Sequence, residues 1–341
     1  MGARIQRMRL FFIRHGETVD NVAQLYAGSR DSALTNHGFQ QATRLGLHFK
    51  QLGLEFTHIF SSHLQRAVKT AGLIREAQVA PSDGAQVARA VPTIVQLPVL
   101  MEQDFGFFEG KKWTERSAEH KDTPGFVDIE SAESMAQRAD TFLDRHVLPL
   151  LHEPTEASSP IMAVVSHGIM LSMLWKRLLL RLPPKSVTFA PDLSEAVRGR
   201  PLEHLGGWSN TGYLELNMSK ATAEVAVTEA SPSLATEARA QPPEPGPAPS
   251  IEAKDPAVSA AASSQASTVN IPAVDSETPL AVPAIQQSSP PLLQGWITVI
   301  QTMNGKDHLK GLKRTGGGVG SSKHDASQKN IDSFFKRQRV G

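Results

Sequence analysis

The sequence predicts an α/β fold, a three-layer α/β/α sandwich around a mostly parallel central sheet. Two observations carry this. Over residues 1–218, short apolar runs alternate with segments whose apolar residues recur at offsets of three and four. That is the βαβα rhythm of a parallel sheet covered by helices on both faces. Most of the apolar runs also end in a cluster of polar, chemistry-bearing residues, and in such folds reactive groups collect beyond the carboxyl ends of the strands.

The first strand is expected at residues 10–13 (LFFI). From Thr35, a suitable N-cap, the spacing of Phe39, Ala42, Leu45, Phe49 and Leu52 predicts a helix. A strand at 57–60, a helix over about 64–77 and a strand at 93–97 follow. Met135, Ala139, Phe142, Leu143, Val147 and Leu150 mark a long amphipathic helix. Residues 161–165 (IMAVV) read as a fully apolar strand and 169–181 as the helix after it. Two more strands are expected at 212–217 (GYLELN) and 296–301 (WITVIQ).

Between those two lies a stretch of different composition. Residues 219–293 contain no Phe, Trp or Tyr and hold 12 of the 23 prolines. Such a segment cannot bury enough apolar surface to offset its conformational entropy, so disorder is expected. A Trp- and Ile-bearing strand beyond it makes sense as the partner of 212–217, which turns the stretch into a long insertion. Loop-closure entropy rises only slowly with length, so the insertion is tolerable. Length alone would suggest about two domains. The reading here is instead one catalytic domain over 1–218, an insertion over 219–293, a last strand of that domain within 294–310, and a flexible basic tail over 311–341.

Composition narrows the function classes. With 35 Lys+Arg against 34 Asp+Glu the chain carries a formal +1, which excludes a uniformly basic nucleic-acid binder; no direct nucleic-acid contact is expected. The balance hides segregation: residues 219–293 hold three basic against eight acidic side chains, and 304–341 hold nine against three. The absence of cysteine excludes a disulfide framework, a thiolate nucleophile and a Cys-ligated metal. The start MGARIQRMRLFF lacks a signal-peptide pattern, and no stretch approaches the ~18–20 apolar residues that span a bilayer. A soluble intracellular protein, cytoplasmic and/or nuclear and without membrane partners, is expected.

The strand ends carry the chemistry. After the first come Arg14-His15-Gly16-Glu17-Thr18 and then Asn21; after the second, Ser61-Ser62-His63-Leu64-Gln65-Arg66-Ala67 and then Thr70-Ala71. Near the third lie Glu102, Phe105-Gly106 and Glu109-Gly110; after the fourth comes Ser166-His167-Gly168. Two histidines, two arginines and a carboxylate therefore gather on one rim. Imidazole can attack phosphorus and hold the group as phosphohistidine. Guanidinium forks match phosphate oxygens, a second histidine can hold an equatorial oxygen, and a carboxylic acid can protonate the leaving alcohol. With no Mg²⁺ cluster and no GxxxxGK[ST], charge neutralisation falls to Arg and His, and no metal or cofactor is expected. Taken alone, Arg66 reads as a solvated helix residue and His167 as a strand-end histidine. Asp104 and Glu109 are rivals to Glu102.

The RHGET…N, SxxxRAxxTA, LxExxFGxxEG and VVSHG elements, in this order, resemble the histidine phosphatase superfamily, also called phosphoglycerate mutase-like, over roughly residues 9–217. The resemblance implies that fold, His15 as the phosphorylated nucleophile and Glu102 as proton donor. It places Arg14, Asn21, Arg66 and His167 in the phosphate pocket. The strands at 212–217 and 296–301, followed by His308-Leu309, look like the end of the family fold. Mutases of the family carry an Arg-His-Tyr-Gly run after the acid, where this chain has Gln103-Asp104-Phe105-Gly106. The resemblance is thus closer to the phosphatase branches, and the expected function is a phosphomonoesterase. A mutase-type phosphotransferase and a non-catalytic adaptor are the alternatives. Specificity is expected in 111–131 and 186–208, where Lys111, Lys112 and Arg116 could steer a second anion or simply be solvated.

The tail carries Gln328-Lys329-Asn330-Ile331-Asp332-Ser333-Phe334-Phe335 followed by Lys336, Arg337 and Arg339. This is similar to the box that binds the replication sliding clamp PCNA. One helical turn would set Ile331, Phe334 and Phe335 together as an apolar plug, with Gln328 at its edge and the basic flank on an acidic surface. Docking of the two phenylalanines on the chain's own domain is the other reading. The Lys336 to Arg339 run could also assist nuclear import. The glycine-rich residues 308–320 read as a flexible linker.

Overall fold

β1 (Arg4–Arg14), β2 (His58–Ser62), β3 (Ile94–Leu97), β4 (Ile161–Ser166), β5 (Val187–Phe189), β6 (Tyr213–Thr222) and β7 (Trp296–Gly305) form one sheet in the order β3-β2-β4-β1-β6-β7-β5. The structure is a computed structural model that describes residues 4–79, 91–115, 118–152, 159–194, 201–222, 293–316 and 318–325. The pairs β1/β4, β2/β4, β2/β3 and β5/β7 are parallel, whereas β6 runs antiparallel between β1 and β7. The sheet is therefore mostly parallel, as expected.

Among the described residues seven α-helices accompany it: α1 (Val19–Ala23), α2 (Asn36–Gln51), α3 (Gln65–Val79), α4 (Ala132–Phe142), α5 (Leu148–His152), α6 (Gly168–Leu179) and α7 (Pro191–Ser194), with a π turn over Leu143–Val147 joining α4 to α5. Alternation along the strands explains the three layers. Leu10, Phe12, Met162, Val164 and Leu216 face Met135 and Phe142 of α4 and Leu171 and Leu174 of α6. Their neighbours Phe11, Ile13, Ala163 and Val165 face Leu45 and Phe49 of α2 and Ala71 and Ile74 of α3. Every one of these side chains is fully buried, each burial worth about 1.5–3 kcal/mol for the larger ones.

Four features depart from the sequence reading. β1 starts at Arg4 and β6 runs to Thr222, paired from Arg4↔Thr222 to Ile13↔Tyr213; polar Gln6, Arg7, Ser219 and Lys220 on that ladder hide it from an apolar criterion. Residues 219–222 thus belong to a strand, and Leu293 is fully buried, so the insertion boundary moves inward; residues 223–292 lie outside the described residues. β5 is a short strand without a sequence signature. Leu52 caps α2 and is 54% exposed, because the helix ends one residue before it.

The fourth is the linker expected over 308–320, which is docked where it is described. Asn36 Nδ2 donates to Val319 O at 2.8 Å and Arg44 Nη1 to Lys310 O at 3.0 Å, and just beyond it Asn36 N–H donates to Ser322 O at 3.0 Å and His324 N–H to Leu34 O at 2.9 Å. The His324 ring stacks on Phe39 with centroids 3.8 Å apart, and Arg314 pairs with Glu17. Partners supplied by α2 and by residues 17 and 34 before it fix a segment whose composition suggests freedom. Among the described residues no helix is long and apolar enough to cross a membrane.

Candidate active site

Register builds the site. Arg14 of β1 lies opposite Ser166 of β4, and His15 N–H extends the ladder to Ser166 O at 3.1 Å. The next residue of each strand is therefore a histidine, and the rings of His15 and His167 stand 5.0 Å apart between centroids. Both are buried. Behind His15 the turn is narrow: a Cβ on Gly16 would collide with the Gly38 backbone, and one on Gly38 with the Glu17 backbone. Gly16 N–H donates to Thr70 Oγ1 at 3.1 Å.

The two imidazoles carry opposite tautomers. His15 Nδ1 sits 2.7 Å from Gly16 O; a carbonyl only accepts, so Nδ1 holds the proton and Nε2 a lone pair. Arg66 Nε donates to His167 Nδ1 at 3.2 Å, so His167 carries its proton on Nε2, which has no partner among the described residues. Burial lowers the pKa of both rings well below the ordinary histidine value, reinforced for each by the positive Arg66 and Arg14. Both are neutral at pH 7, the state a nucleophile needs.

Cations and a carboxyl complete the floor. Arg66, from the start of α3, gives Nη1 to Arg30 O and Nη2 to Ala27 O and Gly28 O. It thus braces the 27–30 loop while its charge stays in the site. Arg14 Nη1 donates to Trp208 O at 2.6 Å, and its buried Nε has no partner among the described residues. Burial lowers the pKa of both guanidinium groups, with Glu102 opposing, and both remain cations. Glu102 lies at the N-terminus of α6: Oε1 accepts from Met170 N–H at 3.0 Å and Oε2 from Ile169 N–H at 3.2 Å. A Cβ on Gly168 would stand 3.8 Å from Arg14 Nε and 4.0 Å from Glu102 Oε2, so the two groups border one small space.

Arg14, His15, Asn21, Arg66 and Glu102 line a cleft of about 650 Å³. His167 lies against His15, so all six expected pocket residues come together. Glu102 is the only carboxyl group among the described residues lining it. Its rivals serve the backbone instead: Asp104 accepts from Gly106 N–H, and Glu109 from the N–H groups of Gly28, Ser29, Arg30 and Phe105. Asn21 closes a capping box with Thr18. Among the described residues no group of three or more His, Asp and Glu side chains is placed to hold a metal ion. Gln328, Ile331, Phe334 and Phe335, with Lys336, Arg337 and Arg339, lie outside the described residues.

Other contributors are silent in the sequence. Asn210 Nδ2 donates to His15 O and to Asn21 Oδ1 at 3.3 and 3.1 Å. Thr211, with φ of 56°, donates its N–H to His15 O at 3.1 Å. A β-branched residue in that left-handed region is strained, and His308 holds it: Thr211 Oγ1 lies 2.8 Å from His308 Nε2. Arg138 Nη2 donates to Glu102 O at 3.3 Å and to Glu130 Oε2 at 2.6 Å, fixing the loop that bears the carboxyl. Tyr26, Phe105, Trp113 and Trp208 form an aromatic wall. Trp113 and Trp208 come from the two segments in which specificity was expected.

The model of the histidine phosphatase superfamily (branch 1) matches residues 10–192, more than half of the chain. A probable phosphoglycerate mutase of Erwinia tasmaniensis is 33% identical over 174 residues, 49% of this chain and 73% of that protein. A broad-specificity phosphatase of Saccharomyces cerevisiae is 31% identical over 170 residues, 49% of this chain and 68% of that one. A fructose-2,6-bisphosphatase of Danio rerio is 30% identical over 190 residues, 48% and 69% of the two chains.

Proposed function

The chain belongs to the histidine phosphatase superfamily, and from that membership we propose that it is a phosphomonoesterase working through a phosphohistidine on His15. One observation carries the reading: the Nδ1–H to Gly16 O bond leaves a lone pair on Nε2 of a neutral, buried ring. Beside it, Arg14 Nε and His167 Nε2–H have no partner among the described residues. These are donors for the oxygens of a transferring phosphoryl group.

In the first step His15 Nε2 attacks phosphorus, the P–O ester bond breaks, and Glu102 gives its proton to the leaving oxygen. In the second, water attacks the phosphohistidine, its proton passes to Glu102, the N–P bond breaks and inorganic phosphate leaves. Gln103-Asp104-Phe105-Gly106 after the acid supports hydrolysis over isomerisation of a phosphoglycerate. The 33% identity to a protein named as a mutase favours phosphotransfer as the second reading.

The test is phosphate release from p-nitrophenyl phosphate, with acid-labile, alkali-stable phosphate trapped on His15 and located by mass spectrometry. Steady release retained by His15→Ala removes the proposal, and interconversion of monophosphoglycerates outpacing hydrolysis replaces it with the mutase. From sequence alone we also propose that residues 328–335 dock on a PCNA-type sliding clamp. A peptide of the last ~20 residues titrated against the clamp checks this; equal binding by the Phe334→Ala/Phe335→Ala peptide ends it.

A further inference from the structure

The cleft has two kinds of lining. Arg14, His15, Arg66 and Glu102 are charged or titratable. Tyr26, Phe105, Trp113, Ile169 and Trp208 are aromatic or apolar, and two of them adjoin the charged groups through their backbone, Trp208 O accepting from Arg14 Nη1 and Ile169 N–H donating to Glu102 Oε2. The Phe105 ring is buried and packs 4.6 Å from that of Tyr26, while Trp208 Nε1–H donates to Ser172 Oγ at 2.9 Å, which fixes the indole. Trp113 and Ile169 remain 49% and 41% exposed, large apolar surface left beside a charged floor.

Among the described residues lining the cleft, Arg14 and Arg66 are the only Lys or Arg side chains. Both belong to the phosphoryl end. Lys111, a candidate for steering a second anion, lies over the Phe107 ring, 2.8 Å from its centroid, and does not line the cleft. An anionic leaving group would thus meet aromatic faces, whose quadrupole is negative, with no further Lys or Arg among the described lining residues to offset its desolvation. A flat ring would meet offset and edge-to-face partners.

We propose that the substrate is a phosphomonoester whose leaving group carries an aromatic ring and no second anionic group, with Trp113 and Trp208 as specificity-determining residues. This rests on the phosphomonoesterase reading above. The wall selects and the floor reacts, so the substrate is recognised in two separate pieces.

The test compares 2-phenylethyl phosphate with ethyl phosphate, whose alcohols are similar leaving groups, and with 3-phosphoglycerate. In the full chain kcat/KM is expected to favour 2-phenylethyl over ethyl phosphate by at least about tenfold, with 3-phosphoglycerate below both. Trp113→Ala brings the first ratio towards one and Trp113→Phe restores most of it. A ratio near one with turnover still dependent on His15, or preference for 3-phosphoglycerate, overturns this inference and leaves the parent reading standing. Without turnover on any ester the parent reading falls, and calorimetric titration with 2-phenylethylphosphonate against ethylphosphonate still decides. Tighter binding of the aromatic phosphonate, lost in Trp113→Ala, sustains the aromatic site; equal binding ends it.

Discussion

The carboxyl ends of β1 and β4 invite comparison. They are neighbours in register, and each delivers a fully enclosed histidine beside the same two arginines. Yet one ring presents a lone pair and the other an N–H. The difference lies behind the rings, where Gly16 O accepts from one and Arg66 Nε donates to the other. The two tautomers are thus distinguished by a single hydrogen-bond partner, since residue type and burial are shared, and in the proposed mechanism that partner separates nucleophile from oxyanion donor.

The largest effect that can break this comparison is exchange of the rings' roles. His15→Ala is expected to lower turnover by about 10⁴-fold or more and abolish the phosphoenzyme. His167→Ala should slow its formation by roughly 10²–10³-fold, the cost of one oxyanion donor, while leaving it detectable. Single-turnover labelling of the two variants measures this; equal loss would mean that the rings share one role.

Removing the partner behind His167 comes next. Arg66→Met leaves the carbonyls of Ala27, Gly28 and Arg30 short of a donor, and a loss of about 2–4 kcal/mol in unfolding free energy is expected from denaturant titration. In the same variant the ¹⁵N shifts of the His167 ring should move towards a mixture of tautomers while those of His15 stay.

Acid sharpens the comparison by treating the rings alike. The folded pKa values of His15 and His167 lie below the ordinary 6.5, through burial and the arginines, and His308 is pushed down to about 4 by burial and His48. The unfolded chain therefore binds more protons below pH 6.5. Stability is complete above that value and declines as pH falls from 6.5 towards 4. The thermal midpoint should fall over this window, and His308→Asn should flatten the fall. The smallest effect is expected from Arg314→Ala. Its ion pair with Glu17 is 40% exposed on the arginine side, so the change should cost only about 0.2–1 kcal/mol and vanish at high salt.

The pattern of these groups explains what the sequence could reveal. His15, Arg66, Glu102 and His167 each fall within a few residues of a strand end, so local periodicity and topology locate them together. Asn210 and Thr211 reach His15, and His308 holds Thr211, all from positions far along the chain, and no short-range pattern announces them. Thr211 even opposes its own conformational preference. Arg138 sits on an amphipathic helix, where charge suggests solvent, yet its fork closes over Glu130 and the Glu102 carbonyl. The polar half of β1 was hidden because antiparallel pairing with β6, and not burial, defines it.

The antiparallel pairing of β6 with β7 has one more consequence. Lys220 stands opposite Trp296 in the ladder, so the chain departs and returns at one spot on the sheet. A cut between those strands would separate a piece bearing His15, Arg66, Glu102 and His167 from one bearing His308 and Arg314, with the ladder as their seam. Activity recovered on mixing would then report the reunion of two fragments, a built-in complementation assay.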